Sequence, residues 1–230
     1  MTSVAALLRI TDAARRTVTS ENSSTRGDFA SLAQGTLQWL PDKGIGFLDV
    51  PVPDGLYGAD YFERYRALDQ TDTGFRLTSV RLGLVARHWN GTITDIGIGG
   101  GGFMLAHGDA TGWDVNEHAL RWLLEKRLLL DPRILPVAAA TFWDSIEHMR
   151  DPSRILNQVA HWAFISTPIY RNALHALESK HYKPGEHLWY FTESGLLAFM
   201  KRLGFRLRES NMRECECGRD EIGSFAFERV

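Results

Sequence analysis

The stretch Thr92-Ile93-Thr94-Asp95-Ile96-Gly97-Ile98-Gly99-Gly100-Gly101-Gly102-Phe103 decides the fold. Ile93, Ile96 and Ile98 are β-branched and bracket Asp95, which reads as a short buried strand. The four consecutive glycines that follow remove every side chain from a turn that a ligand can approach closely. Further on, a second short apolar run ends in Trp113-Asp114-Val115, which places a carboxylate at a strand's end. A Gly-rich first turn with an acid at the end of the next strand is the nucleoside-binding arrangement of open α/β sheets. The acid accepts hydrogen bonds from the ribose hydroxyls, and the glycines let the loop backbone pass beneath the rest of the ligand.

Two cofactor patterns fit this turn. Gly97-Ile98-Gly99-Gly100-Gly101-Gly102 satisfies the dinucleotide fingerprint G-x-G-x-x-G. With Asp95 in front, the same residues satisfy the looser [DE]-x-G-x-G-x-G of S-adenosylmethionine enzymes. A tight turn with no ligand at all is the third reading. The choice rests on residues further along the chain.

At 230 residues the chain suits one α/β domain with an extension. A net charge of −2 supplies no global positive field, so a nucleic-acid partner is unsupported. The local basic patch Lys201-Arg202…Arg206…Arg208 reads as a solvated face. Cys215 and Cys217, the only cysteines, alternate as in a strand with both thiols on one face. Two thiols cannot build a four-ligand zinc site, and i, i+2 pairs rarely form an unstrained disulfide. Reduced thiols point to the cytoplasm. No apolar run reaches membrane-spanning length, and no signal-peptide region is expected.

In chain order, residues 1–45 read as an N-terminal arm, with a helix over Val4–Val18 and a polar linker at Thr19–Thr25. Residues 46–90 read as a helical lid or extension: aromatic Tyr57–Leu68, then a helix over Thr78–His88. Residues 91–230 form the main domain. A short helix covers Gly102–His107, and Asn116 caps a helix to Arg127. Leu128-Leu129-Leu130 is a truncated third strand, stopped by Asp131-Pro132. Val137–Trp143 is a fully buried strand, Asp151-Pro152 opens a helix over Ser153–Ala160, and Ala163–Thr167 is the next strand. Thr192 caps a helix to Arg202, and strands follow at Arg206–Glu209 and Ile222–Glu228.

Three stretches together resemble the class I S-adenosylmethionine-dependent methyltransferases. They are Asp95–Gly101, the segment Thr141-Phe142-Trp143-Asp144-Ser145-Ile146-Glu147-His148 through Asp151-Pro152, and His187–Thr192 with the later Leu203-Gly204-Phe205. The subgroup most similar includes small-molecule enzymes of the quinone-biosynthesis type and phage-borne relatives. The resemblance implies a Rossmann-like α/β fold with a seven-stranded sheet ordered 3-2-1-4-5-7-6. Helices would cover both faces, only the seventh strand would be antiparallel, and an N-terminal extension would precede it. A nicotinamide-dependent oxidoreductase would need another βαβ half, and a non-catalytic homologue that binds S-adenosylmethionine is the remaining alternative.

Carried over by position, the resemblance implies that Gly97, Gly99 and Gly101 line the methionine and ribose portion of S-adenosylmethionine. Asp95 would orient that loop, Asp114 would bind the ribose hydroxyls, and Trp143 and Asp144 would lie beside the methyl donor. Only Asp131 roughly fits the acid that reads the adenine. Glu147 and His148 stand just past the fourth strand, as general-base candidates, with helix capping as the other reading of His148. His181, His187 and Tyr190 occupy a polar-aromatic loop suited to a small-molecule acceptor. A metal held by His181 and His187 with an acid stays open but lacks a recognisable ligand spacing, so no metal ligands are assigned. The Asn/Asp-Pro-Pro-Tyr motif of adenine methylation is absent.

Overall fold

The computed structural model describes residues 36–51, 53 and 55–230; the expected helix at Val4–Val18 and the linker Thr19–Thr25 lie outside the described residues. Two short strands come first, β1 (Gln38–Leu40) and β2 (Ile45–Phe47), so the stretch just before and after residue 45 is folded. Helices α1 (Ala59–Asp69) and α2 (Asp72–Ala86) follow. The main sheet then begins with β3 (Ile93–Ile96), α3 (Gly102–His107), β4 (Ala110–Trp113), α4 (Glu117–Lys126) and β5 (Val137–Trp143). A 3-10 turn at Ile146–His148 leads to α5 (Pro152–Leu156), β6 (Val159–Pro168), α6 (Ala173–Glu178) and β7 (Trp189–Phe191). The chain ends with α7 (Glu193–Arg202), β8 (Phe205–Asn211), a 3-10 turn at Arg213–Cys217 and β9 (Ile222–Arg229).

Among the described residues the main sheet has six strands in the order β4-β3-β5-β6-β9-β8. β4, β3, β5 and β6 run parallel, and β9 pairs antiparallel with both β6 and β8. The seven-stranded expectation is corrected at the third strand. Asp131-Pro132 stops the run, and Leu129 makes only an isolated parallel bridge to Gly112. A second, three-stranded sheet joins the N-terminal hairpin β1-β2 to β7. Gly44 (φ +61°) turns that hairpin, and the Thr192 N–H donates to its carbonyl at 2.8 Å. The Thr192 hydroxyl also accepts from the Gly195 N–H at 3.0 Å, so one side chain starts α7 and faces the hairpin turn.

Caps explain where the elements differ from the sequence reading. α2 starts six residues early because the Thr71 hydroxyl accepts from the Gly74 N–H at 3.1 Å. α5 opens on the Asp151 cap as expected but is a single short helix, and β6 takes over from Val159. The cysteine pair does not lie in a strand. Cys215 and Cys217 sit in a 3-10 turn that Gly218 ends in the left-handed region, φ +84°.

The described residues form one compact unit, so α1 and α2 belong with the main sheet. Phe62 from α1 and Leu84 and Val85 from α2 are buried in the same cluster as Ile93, Phe103 and Phe164. At about 1.5–3 kcal/mol for each fully buried side chain, these three residues alone fix both helices to the sheet.

Candidate functional site

The Gly-rich turn leaves the carboxyl end of β3 and meets Asp114 at the end of β4. Asp114 is nearly enclosed, 9% exposed. Its Oδ2 accepts the Ile98 N–H at 2.9 Å and its Oδ1 the Asn116 N–H at 2.8 Å. Burial pushes this carboxyl up to about 6, and those backbone donors hold it down against a larger rise. With the Val115 N–H also directed at it, the carboxylate still keeps lone-pair capacity for a ligand hydroxyl.

Asp95 lies behind the turn, fully buried, and accepts from the Thr141 hydroxyl at 2.6 Å. Burial pushes it up to about 7, against the Thr141 bond and the Arg81 charge. The turn itself is closely covered. Gly97 (φ +78°) faces Ser145, whose hydroxyl donates to the Ile96 carbonyl at 2.6 Å. Gly99 faces the Tyr65 ring and Gly101 the Trp122 ring. Asp69, at the end of α1, accepts the Gly102 N–H at 2.9 Å and so satisfies the start of α3.

At the end of β5, Arg81 lies over the Trp143 ring, 5.2 Å from its centroid, and bonds Asp144. Trp143 packs edge-on against Phe103 within the core, and its indole N–H is buried without a partner. Asp144, at φ +53°, gives both oxygens to Arg219 at 2.7 and 2.8 Å and shares Oδ2 with Arg81 at 2.8 Å. Arg81 also forms a two-pronged pair with Glu214, at 2.8 Å on both oxygens. Two arginines thus neutralise two acids, and three of the four members lie far from any motif. Nothing local in the sequence signals Arg81, Glu214 or Arg219.

Beyond Asp144, the 3-10 turn carries Glu147 and His148. The Leu188 N–H donates to the Glu147 carbonyl at 2.8 Å, and the Trp189 indole donates to the Met149 carbonyl at 2.7 Å. These bonds seat the loop before β7 against the turn after β5. His187 is thereby brought onto His148, ring centroids 4.6 Å apart and edge to face. One ligating atom each from Glu147, His148 and His187 lies within 4.8 Å of the others. Both Glu147 oxygens and the His187 Nδ1 are buried and have no hydrogen-bond partner. Burial pushes Glu147 up to about 8, aided by the Asp144 charge. Burial pushes His187 down to about 2, with His148 and Lys183 adding to it, and lowers His148 as well.

Asp131, the rough fit to the adenine acid, is tied to Arg133, whose guanidinium lies over the Trp113 ring. His181 turns away from the cluster, its Nε2 donating to the Asp220 carbonyl at 2.9 Å. Tyr190 is fully buried among Leu48, Tyr170 and Ala176, with its hydroxyl donating to the His187 carbonyl at 3.4 Å. The residues that sequence reasoning missed are on α1 and just before it. Tyr57 meets Tyr61 edge to face and Tyr61 meets Tyr65 at a tilt, 5.2 and 4.9 Å between centroids. The Tyr57 hydroxyl lies 3.2 Å from His148 Nδ1, and Tyr65 covers Gly99. Their spacing in the sequence was the available signal, read there only as packing or a lid.

The sequence matches no protein-family model and no curated protein. Solved structures share the fold at low identity. An S-adenosylmethionine-dependent methyltransferase from Thermotoga maritima, described as a possible histamine N-methyltransferase, is 13% identical with a TM-score of 0.53, over 74% of this chain and 97% of its own. The 1,6-didemethyltoxoflavin N1-methyltransferase of Burkholderia thailandensis, with S-adenosylhomocysteine and its substrate bound, is 14% identical with a TM-score of 0.53, over 86% of this chain and all of its own, 100%. Magnesium protoporphyrin IX methyltransferase from Synechocystis PCC 6803, with S-adenosylmethionine bound, is 15% identical with a TM-score of 0.52, over 75% of this chain and 92% of its own. The fold is therefore the α/β Rossmann-like fold of these enzymes. Among the described residues no helix is long and apolar enough to cross a membrane.

Proposed function

We propose that the chain is an S-adenosylmethionine-dependent methyltransferase that acts on a small molecule. The observation that carries this reading is Asp114. It is a nearly enclosed carboxylate at the end of the second parallel strand, joined to the Gly-rich turn through the Ile98 N–H and retaining lone-pair capacity for a ligand hydroxyl. The sheet supports the choice of donor, because β9 lies antiparallel between β6 and β8 where a dinucleotide enzyme would continue in parallel. When bound, S-adenosylmethionine supplies an already activated methyl group. The chain's part is then to align the acceptor and keep water out.

Asp114 would hold the ribose, and Gly97, Gly99 and Gly101 would allow the donor to lie close to the backbone. Asp95 would act through the turn rather than on the ligand. Glu147, His148 and His187 would face the acceptor, with Tyr57 between them and Asp114; the charges of Glu186, Asp114 and Glu147 all reach its hydroxyl. Asp144 would stabilise the end of β5 through its arginines. The quinone-biosynthesis-type subgroup is carried only by the segments around Glu147-His148 and His187–Thr192 and names no acceptor.

The test is calorimetry with S-adenosylhomocysteine and NADH, followed by transfer of a labelled methyl group to a panel of small phenols, amines and thiols. Micromolar binding of S-adenosylhomocysteine with no binding of NADH, and label on an acceptor, is the expected result. Binding without transfer to any acceptor would favour a non-catalytic homologue, and NADH binding would overturn the reading.

A further inference from the structure

We propose that Glu147, His148 and His187 form a binding site for a first-row divalent metal ion. The three residues come from two distant segments, the turn after β5 and the loop before β7. They are held together by backbone bonds rather than by one another: Leu188 N–H to the Glu147 carbonyl at 2.8 Å, and the Trp189 indole to the Met149 carbonyl at 2.7 Å. The side chains thus converge on a framework that exists without them.

What they converge on is short of hydrogen-bond donors, with only the buried Thr167 hydroxyl lying toward Glu147. Glu147 is 1% exposed and neither of its oxygens has a partner; His187 is 4% exposed and its Nδ1 has none. A buried carboxylate and a buried imidazole nitrogen left unpaired are both costly, and a cation satisfies them together. The donor atoms lie within 4.8 Å of one another. Around a tetrahedral ion about 2.0–2.2 Å from each ligand, donors stand roughly 3.4 Å apart, so rotamer adjustments that draw the most distant pair in by up to roughly 1.4 Å complete the site. Two imidazoles and one carboxylate favour zinc, manganese or iron over magnesium or calcium, which prefer oxygen alone.

Tyr57 supplies the outer support such sites carry. Its hydroxyl lies 3.2 Å from His148 Nδ1, where it can fix the ring's orientation and leave Nε2 free for a metal. Three protein ligands leave at least one position for water or an oxygen of a bound small molecule. His181, which the sequence reading grouped with His187, has no part in the site, because its ring is bonded to the Asp220 carbonyl.

The experiment needs neither methyl donor nor acceptor, so its failure leaves the methyltransferase reading standing. The full chain is stripped with chelator, dialysed and titrated with Co2+, followed by absorption in the ligand-field region and by calorimetry; Zn2+ is then added as competitor. One equivalent of Co2+ per chain, displaced by Zn2+, is expected. His187→Ala and Glu147→Gln should each weaken binding at least ~100-fold, and Tyr57→Phe roughly 10-fold. His161→Ala, an exposed imidazole elsewhere, should leave it unchanged. Circular dichroism of each variant separates lost ligation from lost folding. Wild-type protein that takes up no Co2+, or binding that survives in folded His187→Ala and Glu147→Gln, overturns the site; in the first case Glu147 carries a proton shared with His187.

Discussion

Asp114→Asn should leave the fold nearly as stable as the wild type while sharply weakening S-adenosylhomocysteine. An amide presents one acceptor oxygen where the carboxylate presents two. Either the Ile98 or the Asn116 N–H therefore loses its partner, at roughly 1–3 kcal/mol. Against this, the carboxyl stands at about 6 instead of 3.8, so its ionisation at pH 7 is costlier than in water by roughly 3 kcal/mol, and the amide removes that burden. The two effects nearly cancel in a urea melt. They do not cancel in binding, where charge-assisted bonds from the ribose hydroxyls are lost. That loss is about 1.5–3 kcal/mol, or roughly 10–150-fold in a calorimetric titration. The pH dependence gives a second arm. Wild-type affinity should fall about tenfold between pH 7.5 and pH 5, because the group must be ionised to accept both hydroxyls, and the variant should show no such fall. A folded Asn variant that binds as tightly as wild type would refute the placement of the ribose at Asp114.

Gly97→Ala should lower stability by roughly 1–3 kcal/mol in a urea melt, because the backbone there has φ +78° and the new methyl would stand 2.7 Å from Ser145 Cβ; an unmoved midpoint would show that the turn relaxes freely. Arg81→Met should cost roughly 3–5 kcal/mol by leaving Glu214, 1% exposed, without its two-pronged partner, and adding Glu214→Met should recover much of it. Asp95 takes up a proton more readily folded than unfolded, since its carboxyl stands at about 7 instead of 3.8; in chelator, the melting temperature should therefore rise as the pH falls from 8.5 to 6.5, and Asp95→Asn should reduce that rise. Below 6.5 the buried His187 and His148 act oppositely, because their unfolded forms then bind the proton, so the rise should become shallower there although Asp114 and Glu147 still favour it.

Elements set by neighbouring residues were legible in the sequence. The continuous apolar run Val137–Trp143 forms the strand expected, and Asn116, Asp151 and Thr192 cap the helices assigned to them. The alternation of Cys215 and Cys217 misled because strand period was read without the partner that sets it. There, Glu214 is drawn inward by Arg81, 133 residues earlier in the chain, and the segment winds into a 3-10 turn. The candidate site divides in the same way. Asp114 and the glycines were found by local pattern, whereas the meeting of His187 with Glu147 and His148 depends on the Leu188 and Trp189 bonds across 40 residues. No spacing rule within one segment could have shown it.

The Gly-rich turn also needs its glycines for a reason that has nothing to do with a cofactor. A Cβ on Gly100 would stand 2.6 Å from the Arg66 backbone nitrogen, and one on Gly102 would stand 2.6 Å from the Asp69 carboxyl carbon. One on Gly101 would strike the Trp122 ring at 2.7 Å. The run therefore lets α1 and α4 close over the turn, and a Gly-rich signature alone does not distinguish a ligand's approach from a helix's. Asp114 carries more of the weight, because its burial raises its carboxyl to about 6 although the Ile98 and Asn116 N–H groups already bond it. Phe62 is the only buried residue of α1, which otherwise rests on the turn through Asp69 and Tyr65. With Tyr65 on Gly99 and Tyr57 on His148, movement of this one segment would act on the turn and on the histidine cluster together. If the turn holds the methyl donor and the cluster faces the acceptor, the tyrosine row would link the two.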